Sequence, residues 1–298
     1  MYESFYGLKE KPFQIDPDAR YFYSSQSHQT ALSTLESAID NQSGIAVVTG
    51  DTGSGKTALI RKCLCNCDSS LSIGLLSNTR VETMQSLLQW ILLAFELTPG
   101  DGEHSTHLYK VFTDYLAEQY ANSRRVVLII DEAQHLSQVS LEQLRLLSNV
   151  NADGKFMLQL VLVGQPSLRS TLMDVCMRSF VHRITADSHI DSLDEDQTGD
   201  YINHRLSVAG AQREIFTASA VSSIWDKAKG VPRTINLLCD NALLFGCSEY
   251  LPLVGKDLIK DVVHEKRRGL SALSTTFESK AKASPLQMVG QTVGQTVG

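Results

Sequence analysis

The sequence has 298 residues, of which 43% are hydrophobic and 20% are charged. This length and composition exclude an intrinsically disordered chain and leave room for two domains. The 27 basic and 33 acidic residues give a formal net charge of −6, which disfavours a protein that coats DNA but leaves room for a local basic patch. No apolar stretch approaches the roughly 20 residues of a membrane span, and the charged N-terminus lacks a signal peptide's apolar segment. We therefore expect a cytoplasmic protein with no direct membrane span.

In chain order, the first two thirds of the sequence predict an α/β fold. After an aromatic N-terminal segment, apolar residues at helical spacing predict a helix over residues 27–39. Short apolar runs then alternate with amphipathic segments, which is typical of a mainly parallel sheet covered by helices. The predicted strands cover residues 44–50, 72–77, 126–131, 158–164 and 183–190, and the helices about 56–67, 82–97, 107–121 and 138–149.

From residue 194 onward the strand pattern ends, and the sequence predicts only helices. These helices lie near residues 195–209, 217–229, 232–247 and 256–268. The predicted organisation is an N-terminal aromatic segment and helix (1–43), an α/β core (44–193), a helical lid (194–269) and a disordered tail (270–298). The tail ends in repeated VGQT-type units, for which we favour an unpacked terminus over a partner-binding tag.

A glycine-rich segment between the first strand and the following helix fits the P-loop pattern. It comprises Gly50, Asp51, Thr52, Gly53, Ser54, Gly55, Lys56 and Thr57. Its glycines allow successive backbone N–H groups to point at phosphate oxygens. Lys56 supplies positive charge to the β- and γ-phosphates, and the Thr57 hydroxyl is a ligand for Mg²⁺. The segment therefore predicts a site for ATP and Mg²⁺.

An acidic pair, Asp131 and Glu132, follows the third predicted strand directly. Downstream of a P-loop, this arrangement places Asp131 near the metal, directly or through water. Glu132 is then the natural residue to orient and deprotonate the attacking water. We therefore expect hydrolysis of the nucleotide rather than binding alone.

Polar residues in the connection between the last two predicted strands are candidates for contacts with the reacting phosphate. Gln165 follows the strand 158–164, and we expect it to position the lytic water; the alternative is a cap before Pro166. Arg178 and Arg183 precede the last strand, where an arginine can stabilise transition-state charge in a neighbouring subunit. The alternative for each is a surface salt bridge, and we favour Arg183 over Arg178.

Arg233 opens a helix of the predicted lid, directly after Pro232. Proline favours the first turn of a helix, so Arg233 is expected at its N-terminal end. If the lid folds over the nucleotide, this arginine can sense the γ-phosphate and couple it to the lid angle.

Together these residues resemble an AAA+ ATPase, and five segments narrow the resemblance to the ExeA/GspA-like family. The segments cover residues 5–32, 50–57 (GDTGSGKT), 131–149 (DEAQHLSQVSLEQLRLLSN), 158–168 (LQLVLVGQPSL) and 230–244 (GVPRTINLLCDNALL). Members include general-secretion-pathway ATPases, the ATPase of MSHA-type pilus biogenesis and ATPases of some transposable elements. The resemblance covers about residues 1–268. It implies an AAA+ P-loop NTPase core with a mainly parallel five-stranded sheet, a small all-helical lid, and a nucleotide-dependent ring or other oligomer.

The resemblance also assigns particular residues. Arg233 corresponds to the lid arginine of the family and Gln165 to the polar residue that ends the fourth core strand. His28 and the aromatic segment fall where these proteins enclose the base. The stretch before Arg183 is less basic than is usual in the family, which leaves open whether Arg183 or Arg178 acts in trans.

Three functions remain open, and all three include binding of ATP. The favoured one is an ATP-driven homo-oligomer, a ring or filament, that assembles a bacterial secretion or type IV-like pilus system. Long secretion-type members continue into a transmembrane helix, whereas this sequence ends in a polar tail, so we expect a membrane-bound secretion or pilus component as partner.

The second function is an AAA+ transposition regulator, Tn7-type, that oligomerises on duplex DNA and recruits a transposase. The third is a nucleotide switch whose hydrolysis is vestigial. Basic residues available for DNA are Arg61, Lys62, Arg80, Arg124 and Arg125.

Overall fold

A parallel five-stranded sheet forms the centre of the computed structural model, which describes residues 2–14, 18–42, 44–67, 70–77, 83–98, 104–152 and 154–265. The strands are β1 (Ile45–Gly50), β2 (Leu71–Leu76), β3 (Arg125–Ile130), β4 (Asn151–Ala152), β5 (Lys155–Phe156), β6 (Leu158–Gly164) and β7 (Ile184–Ile190). The sheet has the order β2-β3-β6-β1-β7, and β4 and β5 form a separate antiparallel hairpin. All four pairings within the sheet are parallel, which confirms the predicted α/β class.

Helices cover both faces of this sheet and continue into a helical C-terminal part. They are α1 (Tyr2–Tyr6), α2 (Gln26–Asp40), α3 (Lys56–Asn66), α4 (Met84–Ala94), α5 (Ser105–Ala121), α6 (Gln138–Leu147), α7 (Pro166–Leu172), α8 (Arg178–Val181), α9 (Glu195–Val208), α10 (Ala218–Ala228), α11 (Pro232–Ser248) and α12 (residues 256–265). Single 3₁₀ turns lie at Ala19–Tyr21, Ala133–His135 and Val175–Met177.

Strand β1 shows why the sheet is apolar on both faces. Ile45 and Val47 join the core formed with α4, α5 and α6, whereas Ala46 and Val48 join the core formed with α2 and α3. Because side chains alternate across a strand, one run of six buried residues supplies both layers. This double burial is the reason that the central strands β1, β3 and β6 stand out in the sequence as continuous apolar runs.

The helices begin where capping residues favour them. Ser25 caps α2 through the backbone N–H of His28, and Asp194 forms a capping box with Gln197 at the start of α9. The predicted helix over 82–97 is shorter in the structure because Glu96 has a left-handed φ of 57° after the last turn of α4. The sequence pattern therefore located the elements but extended this one past its end.

The aromatic N-terminal segment packs mainly on the C-terminal helices rather than on the sheet. Tyr2 and Tyr6 are buried in the same apolar core as residues of α9, α10 and α11. The Tyr2 hydroxyl donates to the Asp240 carboxylate, and the Tyr6 hydroxyl donates to the Leu251 carbonyl at 3.1 Å. The first turns of the chain are thus part of the core of the helical region.

Within the described ranges, none of the helices combines the length and the apolar character needed to cross a bilayer. Arg80, the predicted helix end at 266–268 and the predicted tail at 270–298 lie outside the described residues.

Candidate nucleotide-binding site

The P-loop segment connects the carboxyl end of β1 to the N-terminus of α3. Gly53 and Gly55 have left-handed φ values of 83° and 100°, which side chains other than glycine rarely adopt. Gly55 is the N-cap of α3 and provides no side-chain cap, so backbone N–H groups of the first turn remain available to a ligand. The segment therefore folds as an anion-binding loop at a helix N-terminus.

Lys56 lies at the start of α3 and is 5% exposed. Its ammonium donates to the carbonyl of Gly50 at 2.9 Å and to the carbonyl of Asp51 at 2.8 Å. Burial lowers the pKa of Lys56, and the carboxylates of Glu132, Asp131 and Asp51 oppose this shift. The positive charge is thus held at the loop, next to three acidic side chains.

Thr57 and Asp131 meet at the ends of α3 and β3. The Thr57 hydroxyl donates to Asp131 Oδ2 at 2.8 Å, and Asp131 is 5% exposed. A hydroxyl and a carboxylate oxygen are the hard ligands that Mg²⁺ prefers, and Mg²⁺ is usually held by one or two protein oxygens together with phosphates and water. The donor set therefore fits the predicted metal.

Glu132 follows Asp131 in a left-handed conformation, with φ 56° and ψ 36°. Its backbone N–H donates to Asp131 Oδ1 at 2.9 Å, and its carboxylate accepts a hydrogen bond from the Gln134 amide. His135 Nε2 lies 4.0 Å from Glu132 Oε2. The acidic pair thus reaches the P-loop with both carboxylates fixed by neighbours.

A cavity of about 460 Å³ joins this end of the sheet to the helical region. The acidic and P-loop part of its lining includes Glu132 and Thr57. The opposite wall is formed by Asp18, Tyr21, Tyr201, Arg205, Pro232, Arg233 and Asn236. Its volume lies in the range of ligand-binding clefts, about 300–1,000 Å³.

Arg233 brings the helical region onto the P-loop. Its backbone N–H donates to the Gly53 carbonyl at 3.2 Å, and its exposed side chain lines the cavity. A Cβ added at Gly53 would lie 2.7 Å from Arg233 Cβ, so this approach requires the glycine. The predicted lid arginine therefore lies at the same cavity as the P-loop.

His28 lies beneath the P-loop. Its Nε2 is 3.0 Å from the Ser54 carbonyl and its Nδ1 is 2.7 Å from the Ser25 hydroxyl, so Nε2 donates and Nδ1 accepts. Burial lowers the pKa of His28, which keeps this neutral arrangement. A small cavity of about 60 Å³ lies beside it, lined in part by Phe22 and Tyr23. Together with Tyr21, which lines the larger cavity, these two aromatic residues are the part of the N-terminal segment that lies near the loop.

Gln165 lies just past the carboxyl end of β6, at the N-cap of α7. Its backbone N–H donates to Gln134 Oε1 at 3.0 Å. Its own side-chain amide makes no hydrogen bond with the residues that the structure describes, and it is half-buried. The amide is therefore free to contact a ligand at this edge of the sheet.

Arg178 and Arg183 have different surroundings. The Arg183 guanidinium donates to Ser148 Oγ at 2.9 Å and to the Arg145 carbonyl at 3.2 Å, and it lies 4.6 Å from the centre of the Phe156 ring. Arg178 is exposed on α8 and makes no such contact within the described part of the chain. Arg183 thus holds the end of α6 in place, whereas Arg178 projects from the surface.

Sequence reasoning predicted Arg233 in the opposite wall of the cavity but missed Tyr201 and Arg205 in the same wall. Tyr201 donates to Asn236 Oδ1 at 2.8 Å, and Arg205 donates to the Tyr201 hydroxyl at 2.9 Å. Tyr201 and Arg205 lie on α9, outside the segments that carry the family resemblance, whereas Asn236 on α11 lies within the segment 230–244. The available signal was a buried arginine at helical spacing from a tyrosine, which alone does not indicate a site.

Comparison with known proteins agrees with this geometry. The AAA domain family matches residues 39–172. General secretion pathway protein A of Aeromonas hydrophila is 38% identical over 244 residues, which make up 82% of this chain and 44% of that protein. The chain therefore spans less than half the length of this relative.

Three solved structures with TM-scores above 0.6 have the same fold. The Aeropyrum pernix ORC2 protein has a TM-score of 0.66 at 15% identity and covers 87% of this chain and 72% of its own. Cdc6p of Pyrobaculum aerophilum has a TM-score of 0.66 at 17% identity, and the match covers 84% of this chain and 71% of the Cdc6p chain. The Aeropyrum pernix ORC1 protein in complex with DNA has a TM-score of 0.64 at 17% identity, and the match covers 87% of this chain and 70% of the ORC1 chain. The match to the AAA domain family and the 38% identity to general secretion pathway protein A show that the chain belongs to the ExeA/GspA-like family of AAA+ proteins.

Proposed function

We propose that this chain binds ATP with Mg²⁺ and hydrolyses it in the cavity between the P-loop and the helical lid. One observation carries the proposal: the Thr57 hydroxyl and the Asp131 carboxylate meet at 2.8 Å, next to Lys56 and Glu132. In an AAA+ protein, this is the set of groups that phosphoryl transfer to water requires.

In this proposal the P-loop N–H groups and Lys56 hold the phosphates. Thr57 and Asp131 hold Mg²⁺, which offsets negative charge that develops on the phosphate oxygens. Glu132 accepts the proton of the water that attacks the γ-phosphorus, and Gln165 orients that water with its free amide. His28 supports the loop from below, and Arg233 senses the γ-phosphate from the lid, residues 194–269.

We propose further that the site is completed by a second copy of the chain in a ring or filament. The exposed Arg178 is the better candidate for the arginine that acts in trans, since the Arg183 guanidinium is already engaged by Ser148 and the Arg145 carbonyl. An unengaged arginine can reach a neighbour's γ-phosphate without breaking bonds inside its own subunit.

The process we favour is assembly of a bacterial secretion or type IV-like pilus system from the cytoplasmic side. Support comes from the relative named general secretion pathway protein A. In this role the oligomer acts on a membrane-bound secretion or pilus component, and ATP turnover drives its assembly.

The test of hydrolysis compares the wild type with Glu132→Gln. We expect the variant to bind ATP normally and to turn over at least about 30-fold more slowly, because general base catalysis contributes about 10²–10⁴-fold. Steady-state phosphate release and the Kd of a fluorescent ATP analogue are the two measurements. Equal turnover in the variant would remove Glu132 from this role, and no turnover by the wild type, with normal ATP binding, would favour a nucleotide switch.

One observation favours the alternative, a Tn7-type transposition regulator that forms on duplex DNA and recruits a transposase. At the edge of the sheet opposite the P-loop, Arg124, Arg125 and Lys155 line a cavity of about 360 Å³. Arg125 donates to the backbone carbonyls of Ile39 and Asp40, and within the described ranges it forms no ion pair with a carboxylate. Clustered cations of this kind bind phosphate backbones.

The two processes differ in their response to DNA and salt. If the alternative is correct, duplex DNA stimulates ATP hydrolysis, the stimulation falls as salt rises, and Arg124→Glu weakens it. The matched control is Lys256→Glu, the same charge change on the exposed start of α12. A rate indifferent to DNA, with nucleotide-dependent oligomers in its absence, favours the secretion or pilus role.

A further inference from the structure

The side chain of Gln134 joins the proposed base to the end of the neighbouring strand. Its Nε2 donates to Glu132 Oε2, and its Oε1 accepts the backbone N–H of Gln165 at 3.0 Å. Glu132 follows β3 and Gln165 follows β6, which are adjacent in the sheet. One amide thus spans the two strand ends that carry the proposed water-activating residues.

The orientation of this amide is determined by its partners. The backbone N–H of Gln165 can only donate, so the atom that faces it must be the carbonyl oxygen of the amide. The NH₂ group of Gln134 therefore faces Glu132 and can only donate to the carboxylate. The hydrogen bond to the strand end fixes which group Glu132 meets.

Gly164 makes room for this amide. A Cβ built at Gly164 would lie 2.9 Å from Gln134 Oε1 and 3.1 Å from Leu168 Cδ2. Because real Cβ contacts are longer than the first of these distances, any larger residue would displace the amide. The close approach of Gln134 to the strand end thus depends on a glycine at this position.

Few other groups hold the Glu132 carboxylate. Gln134 is its hydrogen-bond donor within the described ranges, since His135 Nε2 is 4.0 Å away. The ammonium of Lys56 and this carboxylate attract each other through charge. Its backbone is left-handed, a conformation that costs free energy for a side chain other than glycine. The direction of the carboxylate therefore depends on the bond from Gln134.

We propose that Gln134 is a positioning residue. Its amide holds the Glu132 carboxylate in the orientation that faces the attacking water, and it links this carboxylate to the backbone of Gln165 at the end of β6. The bond to one carboxylate oxygen, Oε2, leaves the other oxygen to accept the proton of the water. This inference rests on the proposed ATP hydrolysis and on Glu132 as its base.

The test replaces Gln134 by methionine, which has a similar length and no hydrogen-bonding amide. We expect kcat for ATP hydrolysis to fall by about 10- to 100-fold, since small misplacements of a reacting group cost up to about 10² in rate. The Kd of a fluorescent ATP analogue should stay within about twofold, because the phosphate-binding groups are unchanged. Gln212→Met, an exposed amide on the lid, is the matched control and should leave kcat unchanged.

A second variant separates positioning from folding. Gly164→Ala pushes on the Gln134 oxygen from the other side, so we expect a lower kcat with an unchanged Kd. Combined with Gln134→Met it should add little, because both changes act on the same bond. A purely structural role predicts instead that Kd, thermal stability and kcat change together, or that the two effects add.

The outcomes distinguish this inference from the proposed function. If Glu132→Gln abolishes turnover while Gln134→Met hydrolyses ATP like the wild type, the positioning role is wrong and the base assignment stands. If Glu132→Gln turns over normally, the base assignment fails, and the positioning role fails with it.

Discussion

Lys56 donates its ammonium protons to the backbone of its own loop, with the Gly50 carbonyl 2.9 Å away. Gly50 ends β1, so the bond joins the start of α3 to the strand from which the loop departs. A bound phosphate would compete with this carbonyl for the same charge. Phosphate binding in this loop is therefore an exchange of partners by Lys56 rather than the capture of a free cation.

We expect Lys56→Ala to raise the Kd for ATP at least about tenfold, because a charge-assisted hydrogen bond is worth about 1.5–3 kcal/mol. The variant also loses the hydrogen bonds from Lys56 to the Gly50 and Asp51 carbonyls, which lowers its stability. We expect the loss of ATP affinity to be larger than this loss of stability, because the charge itself binds the phosphates. Titration with a fluorescent ATP analogue measures Kd, and Lys256→Ala on the exposed start of α12 is the control. An unchanged Kd would contradict the role of Lys56 in holding phosphate.

The two sides of the candidate site differ in how far the sequence could predict them. Lys56, Asp131 and Glu132 lie in contiguous motifs that directly follow apolar strands. Because the strands are parallel, their carboxyl ends lie on the same side of the sheet, so the motifs that follow them come together. Tyr201 and Arg205 reach the cavity only because the helical region docks on the P-loop, a long-range contact that no local pattern encodes. The packing of the N-terminal aromatic residues into the core of the C-terminal helices is non-local in the same way.

Arg178 should act in trans if the proposed oligomer is correct. We expect Arg178→Ala to lower kcat at least about 100-fold without changing the Kd for ATP, since a trans arginine contributes about 10³–10⁵. Mixing Arg178→Ala with the binding-deficient Lys56→Ala should recover activity, because one mixed interface combines an intact P-loop with an intact arginine. Phosphate release from the mixture, compared with each variant alone, is the measurement, and no recovery would argue against a shared site.

Arg183 should instead matter for folding. Its guanidinium caps the end of α6 through Ser148 and the Arg145 carbonyl, and it stacks on Phe156. We expect Arg183→Ala to lower the free energy of unfolding by about 1–3 kcal/mol, since part-buried acceptors lose their donor. Denaturant unfolding tests this, with Arg178→Ala as the exposed control. Loss of turnover in Arg183→Ala at full stability would return Arg183 to the trans role.

His28 should make stability fall in mild acid. Burial lowers the pKa of His28 below its ordinary value of 6.5, so the folded chain holds fewer protons than the unfolded chain below that pH. Stability is therefore full above about pH 6.5 and declines as the pH falls toward the folded-state pKa. His204 is shifted in the same direction by burial and adds to this decline.

The contribution of His28 is isolated by His28→Asn. We expect its Tm to lie below that of the wild type at about pH 7.5, because the bond to the Ser54 carbonyl is lost, and the gap to narrow at about pH 5. Thermal unfolding at both pH values gives the two gaps. If the Tm of the wild type and that of the variant fall by the same amount between about pH 7.5 and about pH 5, titratable groups other than His28 cause the acid destabilisation.

Arg205 should hold the N-terminal segment on the lid. Arg205 is only 6% exposed, and no carboxylate of the described ranges lies within hydrogen-bond distance of it. Its guanidinium instead donates to the Pro12 carbonyl at 2.6 Å and to the Gln14 carbonyl at 3.1 Å. It also lies 4.8 Å from the centre of the Tyr21 ring. Arg205→Met leaves the buried Pro12 carbonyl without its donor and removes the bond to the part-buried Gln14 carbonyl, so we expect about 1–3 kcal/mol less stability in denaturant unfolding. Arg205→Lys should recover only part of this loss, because an ammonium lacks the planar fork that reaches two separate carbonyls. Arg213→Met, on the same helical region but exposed, is the control, and a loss in Arg205→Met no larger than in this control would mean that the N-terminal segment is held by its aromatic packing alone.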